Sequence, residues 1–399
     1  MNTGMEKLFE LDNLAKKDAI RYPRKRFVYD SIKSHSGRQF LCLIGPRGVG
    51  KTVILRQLRA EKNDSFYLSM DSFNQKSLFE FARTLSENYE MKLLLIDEIH
   101  FYENYQSELK MIYDFLNINV IFTSSVSLLL YSSSYDLSRR VKIIKIYPFT
   151  FREYVYFKEK KLLNTISISD IYNGRYNSEY LRFGYLFKEY LTGGIYPLSL
   201  EGIDVVETLR NVVEKIITQD IPSLSDITVS ETNLIKNTFR FISLATSEGI
   251  NYSSISRNVG ITKYKAQQYV ELLERAFVIN QVLPYGTNVM REPKILLCPP
   301  LRLLNNEYSQ VIGYLREDFI VECLKMRDYE IFYLKSPRGE KTPDFFVKEG
   351  NTKYVIEAGG KGKGRTQFKG FSNYKKIILS DLDKPLNSQH KPIFLIGYI

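Results

Sequence analysis

Eight residues between an apolar segment and a helical segment constrain this chain more than any other part of its sequence. Residues 45–52 read GPRGVGKT and satisfy the pattern G-x-x-x-x-G-K-[ST]. An apolar run at 40–44 precedes them, and helical spacing follows at 53–59. Glycines at these positions let backbone N–H groups turn toward a bound anion, and the positive end of the following helix favours the same charge. The segment predicts a phosphate-binding loop between a strand and a helix of an α/β sheet.

The residues of this loop have distinct predicted roles in holding a nucleoside triphosphate. Lys51 is expected to reach the β and γ phosphates, and the hydroxyl of Thr52 to ligate Mg²⁺. Arg47 stands at a variable position of the pattern, so we expect it to be solvated or packed. The predicted phosphate cradle consists of Gly45, Pro46, Arg47, Gly48, Val49, Gly50, Lys51 and Thr52.

A second acidic signal follows at residues 92–100, which read KLLLIDEIH, an apolar strand that ends in two carboxylates. Asp97 is expected to hold Mg²⁺ through water, and Glu98 to orient and deprotonate the attacking water. The next predicted strand ends in Ser124 and Ser125. Either one of these serines contacts the γ-phosphate or the water, or both simply suit the turn that follows a strand.

The alternation of short apolar runs with amphipathic helical stretches predicts a parallel α/β sheet around the loop. Arg139 and Arg140 precede the last strand of this sheet. Either one of them reaches the nucleotide of a neighbouring subunit as an arginine finger, or the pair is solvated. The predicted strands are 40–44, 66–70, 93–96, 120–123 and 143–147, and the predicted helices include 78–89 and 105–116.

Three further domains are predicted beyond the sheet. Aromatic-rich helical sequence up to residue 230 is interpreted as a helical lid, and the helices and strand pair of 231–300 follow the order of a winged helix-turn-helix. The last residues form a small α/β domain with a helix at 315–326 and strands at 330–334, 344–347, 353–356, 376–379 and 392–396. The predicted domain boundaries are 1–153, 154–230, 231–300 and 301–399.

Length and composition fit this multidomain organisation. A chain of 399 residues is longer than the length that a single hydrophobic core usually serves, so two to four domains are expected. No signal peptide and no apolar run of about 18 residues is present, which predicts a soluble cytoplasmic protein without a membrane partner. The three cysteines and three histidines show neither a disulfide framework nor zinc-ligand spacing. A net charge of +11 indicates either a polyanionic partner, with nucleic acid as the first candidate, or a solvated basic surface.

These motifs together resemble a family of prokaryotic AAA-type ATPases that carry a C-terminal domain similar to restriction endonucleases. The likeness spans nearly the whole chain, and it implies ATP with Mg²⁺ as ligands, ATP hydrolysis, an ASCE-type sheet, a lid, a winged helix and a nuclease-like end. Many relatives read Gly-Arg where this chain has Ser138 and Arg139. The segments that carry the likeness are GPRGVGKT at 45–52, LLLIDEIH at 93–100, LSRR at 137–140, YPFTFREY at 147–154, GGIYP at 193–197 and TQDIP at 218–222.

One candidate nucleic-acid surface lies in the predicted winged helix, where a turn at 259–261 joins helices at 253–258 and 263–275. We place Lys263, Lys265 and Gln268 on the polar side of the second helix, which suits contacts to phosphates and base edges. The apolar positions 270, 273 and 277 are expected to face the core. In the AAA-type ATPases that this chain resembles, winged helices often only pack against other domains, so both roles are open.

Three acids near the end of the chain resemble the PD-(D/E)xK nuclease pattern. Glu317 falls on a helix, Asp344 on a strand and Glu357 at the end of the next strand, where they would share one Mg²⁺ while a lysine activates water. The usual lysine position is Gly359 here, and Lys361 lies four residues beyond Glu357. We favour a retained fold that binds nucleic acid or protein without cutting, with an active nuclease as the alternative.

A basic segment comes directly after the three acids in the chain. Residues 361–376 carry six basic residues and no acid, interleaved with aromatic residues. Lys361, Lys363 and Arg365 are candidate contacts to a nucleic-acid backbone, and a solvated basic loop is the alternative. The sequence as a whole predicts a Mg²⁺-dependent ATPase coupled to DNA or another nucleic acid. A regulatory switch that acts on a protein partner or within a homo-oligomer, and an ATP-regulated nuclease, are the alternatives.

Overall fold

The computed structural model describes residues 3–125, 137–222, 227–245, 249–286, 292–335, 342–359 and 368–399. The chain divides into two compact units: unit 1, Met1–Pro148, and unit 2, Phe149–Ile399. The predicted boundaries at residues 230 and 300 fall inside unit 2, and the division into four domains stays a prediction. Within the described ranges, every helix is too short or too polar to cross a membrane.

Unit 1 is built on a five-stranded sheet in the order β2-β3-β4-β1-β5. All of its strand pairs are parallel, which confirms the predicted parallel α/β sheet. Its central strands are buried on both faces, as their continuous apolar sequences require. The strands are β1 Phe40–Ile44, β2 Ser65–Ser69, β3 Leu93–Asp97, β4 Asn119–Ser124 and β5 Val141–Lys145. The helices are α1 Thr3–Asp18, α2 Tyr29–Lys33, α3 Lys51–Glu61, α4 Leu78–Asn88 and α5 Tyr105–Phe115.

The strand order gathers three chain segments at one edge of the sheet. Because the strands are parallel, the segments that follow β1, β3 and β4 all leave from the carboxyl edge. β4 lies between β1 and β3, and Ile44 at the end of β1 is paired with Ser124 at the end of β4. The loop that follows Ile44, the acids that end β3 and the serines that end β4 are thereby brought to the same edge.

A buried ion pair attaches α1 to the rest of unit 1. Arg59 on α3 donates from Nε and Nη2 to the two carboxylate oxygens of Asp12 on α1, at 2.6 and 2.7 Å. The same carboxylate accepts from the backbone N–H of Tyr67 on β2 at 2.8 Å. Both charged side chains are buried, so α1, α3 and β2 are joined by one fully paired polar group.

Unit 2 begins with the helices that the aromatic-rich sequence predicts. Several of its buried rings meet edge to face around Phe151, whose ring centre lies 5.3 Å from those of Tyr190 and Tyr398. The carboxylate of Glu349 accepts from the backbone N–H groups of Ile168 and Ser169 at 3.0 Å each. These contacts fix the short helix that begins at Ile168 against the strand that ends at Glu349. The helices are α6 Phe151–Glu159, α7 Ile168–Asn173, α8 Glu179–Arg182, α9 Phe187–Glu189, α10 Val205–Lys215, α11 Val229–Leu244, α12 Tyr252–Val259, α13 Lys263–Arg275 and α14 Tyr308–Lys325.

The strands of unit 2 form one seven-stranded mixed sheet in the order β12-β11-β10-β9-β8-β6-β7. β6 pairs with both β7 and β8, so the predicted boundary at residue 300 divides strands of a single sheet. The strands are β6 Ile279–Pro284, β7 Lys294–Leu297, β8 Glu330–Tyr333, β9 Phe345–Glu349, β10 Thr352–Gly359, β11 Lys375–Ser380 and β12 His390–Pro392.

The predicted strand at 392–396 is wrong. β12 ends at Pro392, and Ile393–Tyr398 forms a 3₁₀ helix. All six residues of this helix are buried. A short run that is buried on every side shows no periodicity in sequence, so its pattern does not distinguish a strand from a helix.

Candidate nucleotide site

The loop at residues 45–50 has three glycines at positions that a side chain would strain or block: Gly48 has a φ of +84°, and the other two lie at the ends of the loop. A Cβ atom added to Gly45 would lie 2.0 Å from the carbonyl oxygen of Ile146, so the loop begins in direct contact with the end of the neighbouring strand. Gly50, immediately before α3, has a φ of +90°, a left-handed conformation that L side chains rarely adopt. These two glycines turn the chain from β1 into α3 at the carboxyl edge.

Lys51 lies at the start of α3 and folds back onto the loop. Its Nζ donates to the carbonyl oxygens of Gly45 at 2.7 Å and Pro46 at 2.9 Å, and its side chain is buried. Thr52 follows in the first turn of α3, whose leading N–H groups have no acceptors within the helix and carry its positive partial charge. A lysine ammonium and a helix N-terminus thus meet where the sequence predicts the phosphates, and Thr52 lies in the first turn of the same helix.

Asp97 ends β3 with both carboxylate oxygens held by hydroxyl groups. Thr123 donates to one oxygen at 2.6 Å, and Tyr67 donates to the other at 2.9 Å. Burial raises the pKa of Tyr67, and the charge of Asp97 raises it further, so the phenol remains a donor. These neutral donors orient the carboxylate without cancelling its charge, which suits a group that holds a metal.

Glu98 directly follows and adopts a left-handed backbone, with φ +53° and ψ +53°. Its N–H donates at 2.8 Å to Thr123, so the hydroxyl of Thr123 joins both acids. One carboxylate oxygen lies 3.9 Å from Nη1 of Arg47, and the other lies 3.3 Å from Nδ1 of His100. Such a backbone in a residue other than glycine costs about 1 to 3 kcal/mol and is concentrated at functional sites.

Arg47 therefore has a more specific position than the sequence predicts. Its side chain is mostly buried and faces Glu98, instead of lying in solvent. A second arginine supports the same loop: Arg26 donates from Nη1 to the carbonyl oxygen of Val49 at 2.6 Å and from Nη2 to that of Tyr147 at 2.9 Å. Arg26 thus connects the loop to the segment that follows β5.

Ser124 and Ser125 lie where the sequence places them, at the end of β4 beside the loop. Both are buried, and Ser124 is paired with Ile44 in the sheet. The edge of the sheet that carries Lys51 and Asp97 therefore also carries these two hydroxyl groups. Their role as sensors of the γ-phosphate stays a prediction.

Arg139 and Arg140 lie at the opposite edge of the sheet. The backbone N–H of Phe40, the first residue of β1, donates to the carbonyl oxygen of Arg140 at 2.8 Å. A five-residue strand, about 13 Å long, separates this point from the loop. Arg140 makes a bidentate ion pair with Asp114, at 3.0 Å for each contact, whereas Arg139 is exposed. Neither arginine therefore lies near the loop of its own chain. Their role as an arginine finger toward the nucleotide of a neighbouring subunit stays a prediction.

The candidate nucleic-acid residues of α13 are only partly available. Lys263 forms an ion pair with Glu292, and Lys265 forms one with Glu231 at 3.0 Å. Gln268 is exposed. The predicted contacts Lys361, Lys363 and Arg365 lie outside the described residues.

Two of the three acids of the nuclease-like pattern have protein partners, and the metal site stays a prediction. Glu317 pairs with Lys294 at 2.6 Å, and a carboxylate oxygen of Asp344 accepts from the backbone N–H of Ala358 at 2.7 Å. Glu357 is buried on β10. Among the residues that the structure describes, no group of three or more His, Cys, Asp or Glu side chains is placed to hold a metal ion. Lys294 thus takes one of the three acids as its partner.

Two parts of the chain match known protein families. Residues 37–155 match the AAA domain family. The match covers the loop, both acids and all five strands of the sheet, and it supports an ATP-binding domain of the AAA type. Residues 184–298 match a second family, a domain of unknown function (DUF8612).

Two relatives and two solved structures are distantly similar to this chain. An uncharacterised protein of Methanocaldococcus jannaschii is 28% identical over 424 residues, covering 93% of this chain and 89% of the relative. An uncharacterised protein of Haemophilus influenzae is 27% identical over 283 residues, covering 66% of each chain. The structure of the Aeropyrum pernix ORC1 protein in complex with DNA is 11% identical with a TM-score of 0.29, covering 76% of this chain and 91% of that one. The Thermotoga maritima RuvB Holliday junction branch migration motor is 16% identical with a TM-score of 0.26, covering 70% and 91%. TM-scores of this size do not establish a shared fold.

Proposed function

We propose that this protein is a Mg²⁺-dependent ATPase whose AAA-type domain hydrolyses ATP to ADP and phosphate. The observation that carries the proposal is the meeting of Lys51, Asp97 and Glu98 at the carboxyl edge of one parallel sheet, with the two acids joined through Thr123. Phosphoryl transfer to water requires a lysine that binds the phosphates, one acid that holds the metal and a second acid that acts on the water.

The residues present suit MgATP. Thr52 and the oriented, buried carboxylate of Asp97 would hold Mg²⁺, which would supply positive charge to neutralise the phosphates. Lys51 exchanges its two carbonyl acceptors for phosphate oxygens, since an ammonium binds a charged oxygen more strongly than a neutral one.

Glu98 is proposed as the general base. Its carboxylate accepts a proton from water as the water oxygen bonds to the γ-phosphorus, and the bond from that phosphorus to the β–γ bridging oxygen breaks to release ADP. Arg47 and His100 lie on either side of the carboxylate and restrict its orientation.

We further propose that ATP turnover is coupled to nucleic acid through α13. The order α12, α13, β6, β7 is that of a winged helix-turn-helix, and Tyr264 on α13 is 69% exposed beside Lys263. Nucleic acid would have to displace the acids that pair with Lys263 and Lys265, and this displacement costs little because ion pairs near the surface contribute only about 0 to 1 kcal/mol.

A second candidate function is a nucleotide-driven switch that acts on a protein partner. It is favoured by the pairing of Lys263 and Lys265 with acids of their own unit. In this alternative, unit 2 docks a partner or a second copy of the chain, and nucleic acid has no influence on ATP turnover.

One experiment separates the two candidates. We expect duplex DNA, single-stranded DNA or RNA at low salt to change the ATPase rate, and Lys263→Ala/Lys265→Ala to abolish that change. Binding should also lose about two units of its salt slope, since each lysine displaces about one counterion.

The matched control removes the same charge elsewhere. Lys158→Ala/Lys236→Ala takes two lysines from ion pairs with Glu189 and Glu214 on other helices of unit 2, and it should leave the response intact. A wild-type rate that no nucleic acid alters would eliminate coupling and leave the switch.

A further inference from the structure

A lysine pairs with one of the three acids of the nuclease-like pattern and lies beside the residue that follows a second one. Lys294 is the first residue of β7, and its Nζ lies 2.6 Å from a carboxylate oxygen of Glu317 on α14. Both side chains are largely shielded from solvent, with 18% and 17% exposed. The same Nζ lies 5.3 Å from the ring centre of Phe345, the neighbour of Asp344 in sequence. Lys294 therefore stands between the helix acid and the strand that follows Asp344.

The remaining two acids belong to the same part of the sheet. β9 and β10 are antiparallel with Ile356 paired to Phe345, and the next step of this register sets Glu357 opposite Asp344. Burial acts to lower the pKa of Lys294, but the charges of Glu317 and Asp344 outweigh it and raise the pKa, so the ammonium is retained. One fixed positive charge thus faces at least two carboxylates.

The arrangement does not fit a divalent cation. Mg²⁺ requires near-octahedral oxygen ligation at short distance, and it takes carboxylates that are free to ligate it. Here the ammonium of Lys294 already neutralises Glu317, whereas the donors to Asp97 in unit 1 are neutral hydroxyl groups.

We infer that Lys294 is the permanent cation of this carboxylate cluster, in place of a divalent metal, and that Glu317, Asp344 and Glu357 do not support metal-dependent phosphodiester cleavage. The ammonium supplies the charge neutralisation that the acids need on burial, and it does so without a Lewis acid or a metal-bound water. The cluster joins α14 to the sheet through β7 and β9.

A metal titration tests this inference on the full chain without nucleotide. Wild type is expected to bind no Mn²⁺ that depends on Glu317, as followed by electron paramagnetic resonance and by comparison with Glu317→Gln. Lys294→Met keeps the length of the side chain and leaves the carboxylates uncompensated, so it should gain one Mn²⁺ site per chain.

Thermal unfolding reports the same change independently. We expect Lys294→Met to have a lower Tm than wild type, and saturating Mn²⁺ to raise that Tm by about 2 to 4 °C, because a ligand that binds only the folded state stabilises it. Adding Glu317→Gln to Lys294→Met should remove the gain. Lys348→Met is the matched control, because Lys348 pairs with Glu330 in an exposed position of β9.

Three results would overturn the inference. The first is Mn²⁺ binding by wild type that disappears in Glu317→Gln. The second is cleavage of DNA or RNA with Mg²⁺ or Mn²⁺ that disappears in Asp344→Ala or Glu357→Ala. The third is a folded Lys294→Met that gains no metal site. If Lys294→Met does not fold, the comparison of wild type with Glu317→Gln decides the question alone.

Discussion

Replacing Glu98 by Gln is expected to stop ATP hydrolysis while leaving ATP bound. The amide keeps the size of the side chain and its place beside Arg47 and His100, but it cannot accept a proton from water. Loss of a general base costs about 10² to 10⁴ in rate. We expect kcat to fall by that factor while the dissociation constant of a fluorescent ATP analogue stays within about threefold, as measured by single-turnover kinetics and equilibrium titration.

Glu103 provides the control for this variant. It lies on the same connection between β3 and α5, but its side chain is exposed. Glu103→Gln should hydrolyse ATP at the wild-type rate. If Glu98→Gln kept more than about one-tenth of the wild-type kcat, another group would have to act as the base.

Replacing Arg59 by Leu is expected to destabilise unit 1 strongly. The substitution leaves the carboxylate of Asp12 buried with only the N–H of Tyr67 as a partner. Breaking a buried pair from one side costs about 3 to 5 kcal/mol, because the remaining charge is uncompensated. Urea unfolding followed by circular dichroism should show this loss in the free energy of unfolding.

The comparison for Arg59 is an ion pair of the same type on the surface. Arg83 pairs with Glu80 on α4, and both side chains are about half exposed. Arg83→Ala should change the free energy of unfolding by less than about 1 kcal/mol. If Arg59→Leu and Arg83→Ala lowered the free energy of unfolding equally, burial of the Asp12–Arg59 pair would not increase its contribution to stability.

The sheet around the phosphate loop was predictable because several local signals agree there. Apolar runs bounded by turn residues locate all five strands to within two residues, and GPRGVGKT fixes which strand carries the loop. α13 likewise begins and ends where its helical spacing predicts, at Lys263 and Arg275. Its apolar positions Val270 and Leu273 are buried as expected.

The supporting contacts of the site were not predictable from local pattern. Arg26 contacts residues 23 and 121 positions away, and Thr123 contacts Asp97 across 26 positions. A single arginine or threonine carries no periodic signal, so only the folded strand order reveals these partners. The pairing of Lys294 with Glu317 has the same origin, since β7 and α14 are separate elements that tertiary packing brings together.

The loop at residues 45–52 is proposed to capture the triphosphate of ATP through Lys51 and Thr52. Isothermal titration of the folded chain with ATP and Mg²⁺ tests this proposal. We expect one site per chain, and we expect Lys51→Ala to weaken binding by about tenfold to 100-fold, since hydrogen bonds to charged groups contribute about 1.5 to 3 kcal/mol. Folded wild-type protein that takes up no ATP at millimolar concentration, or a Lys51→Ala variant that binds ATP as tightly as wild type, would contradict the claim.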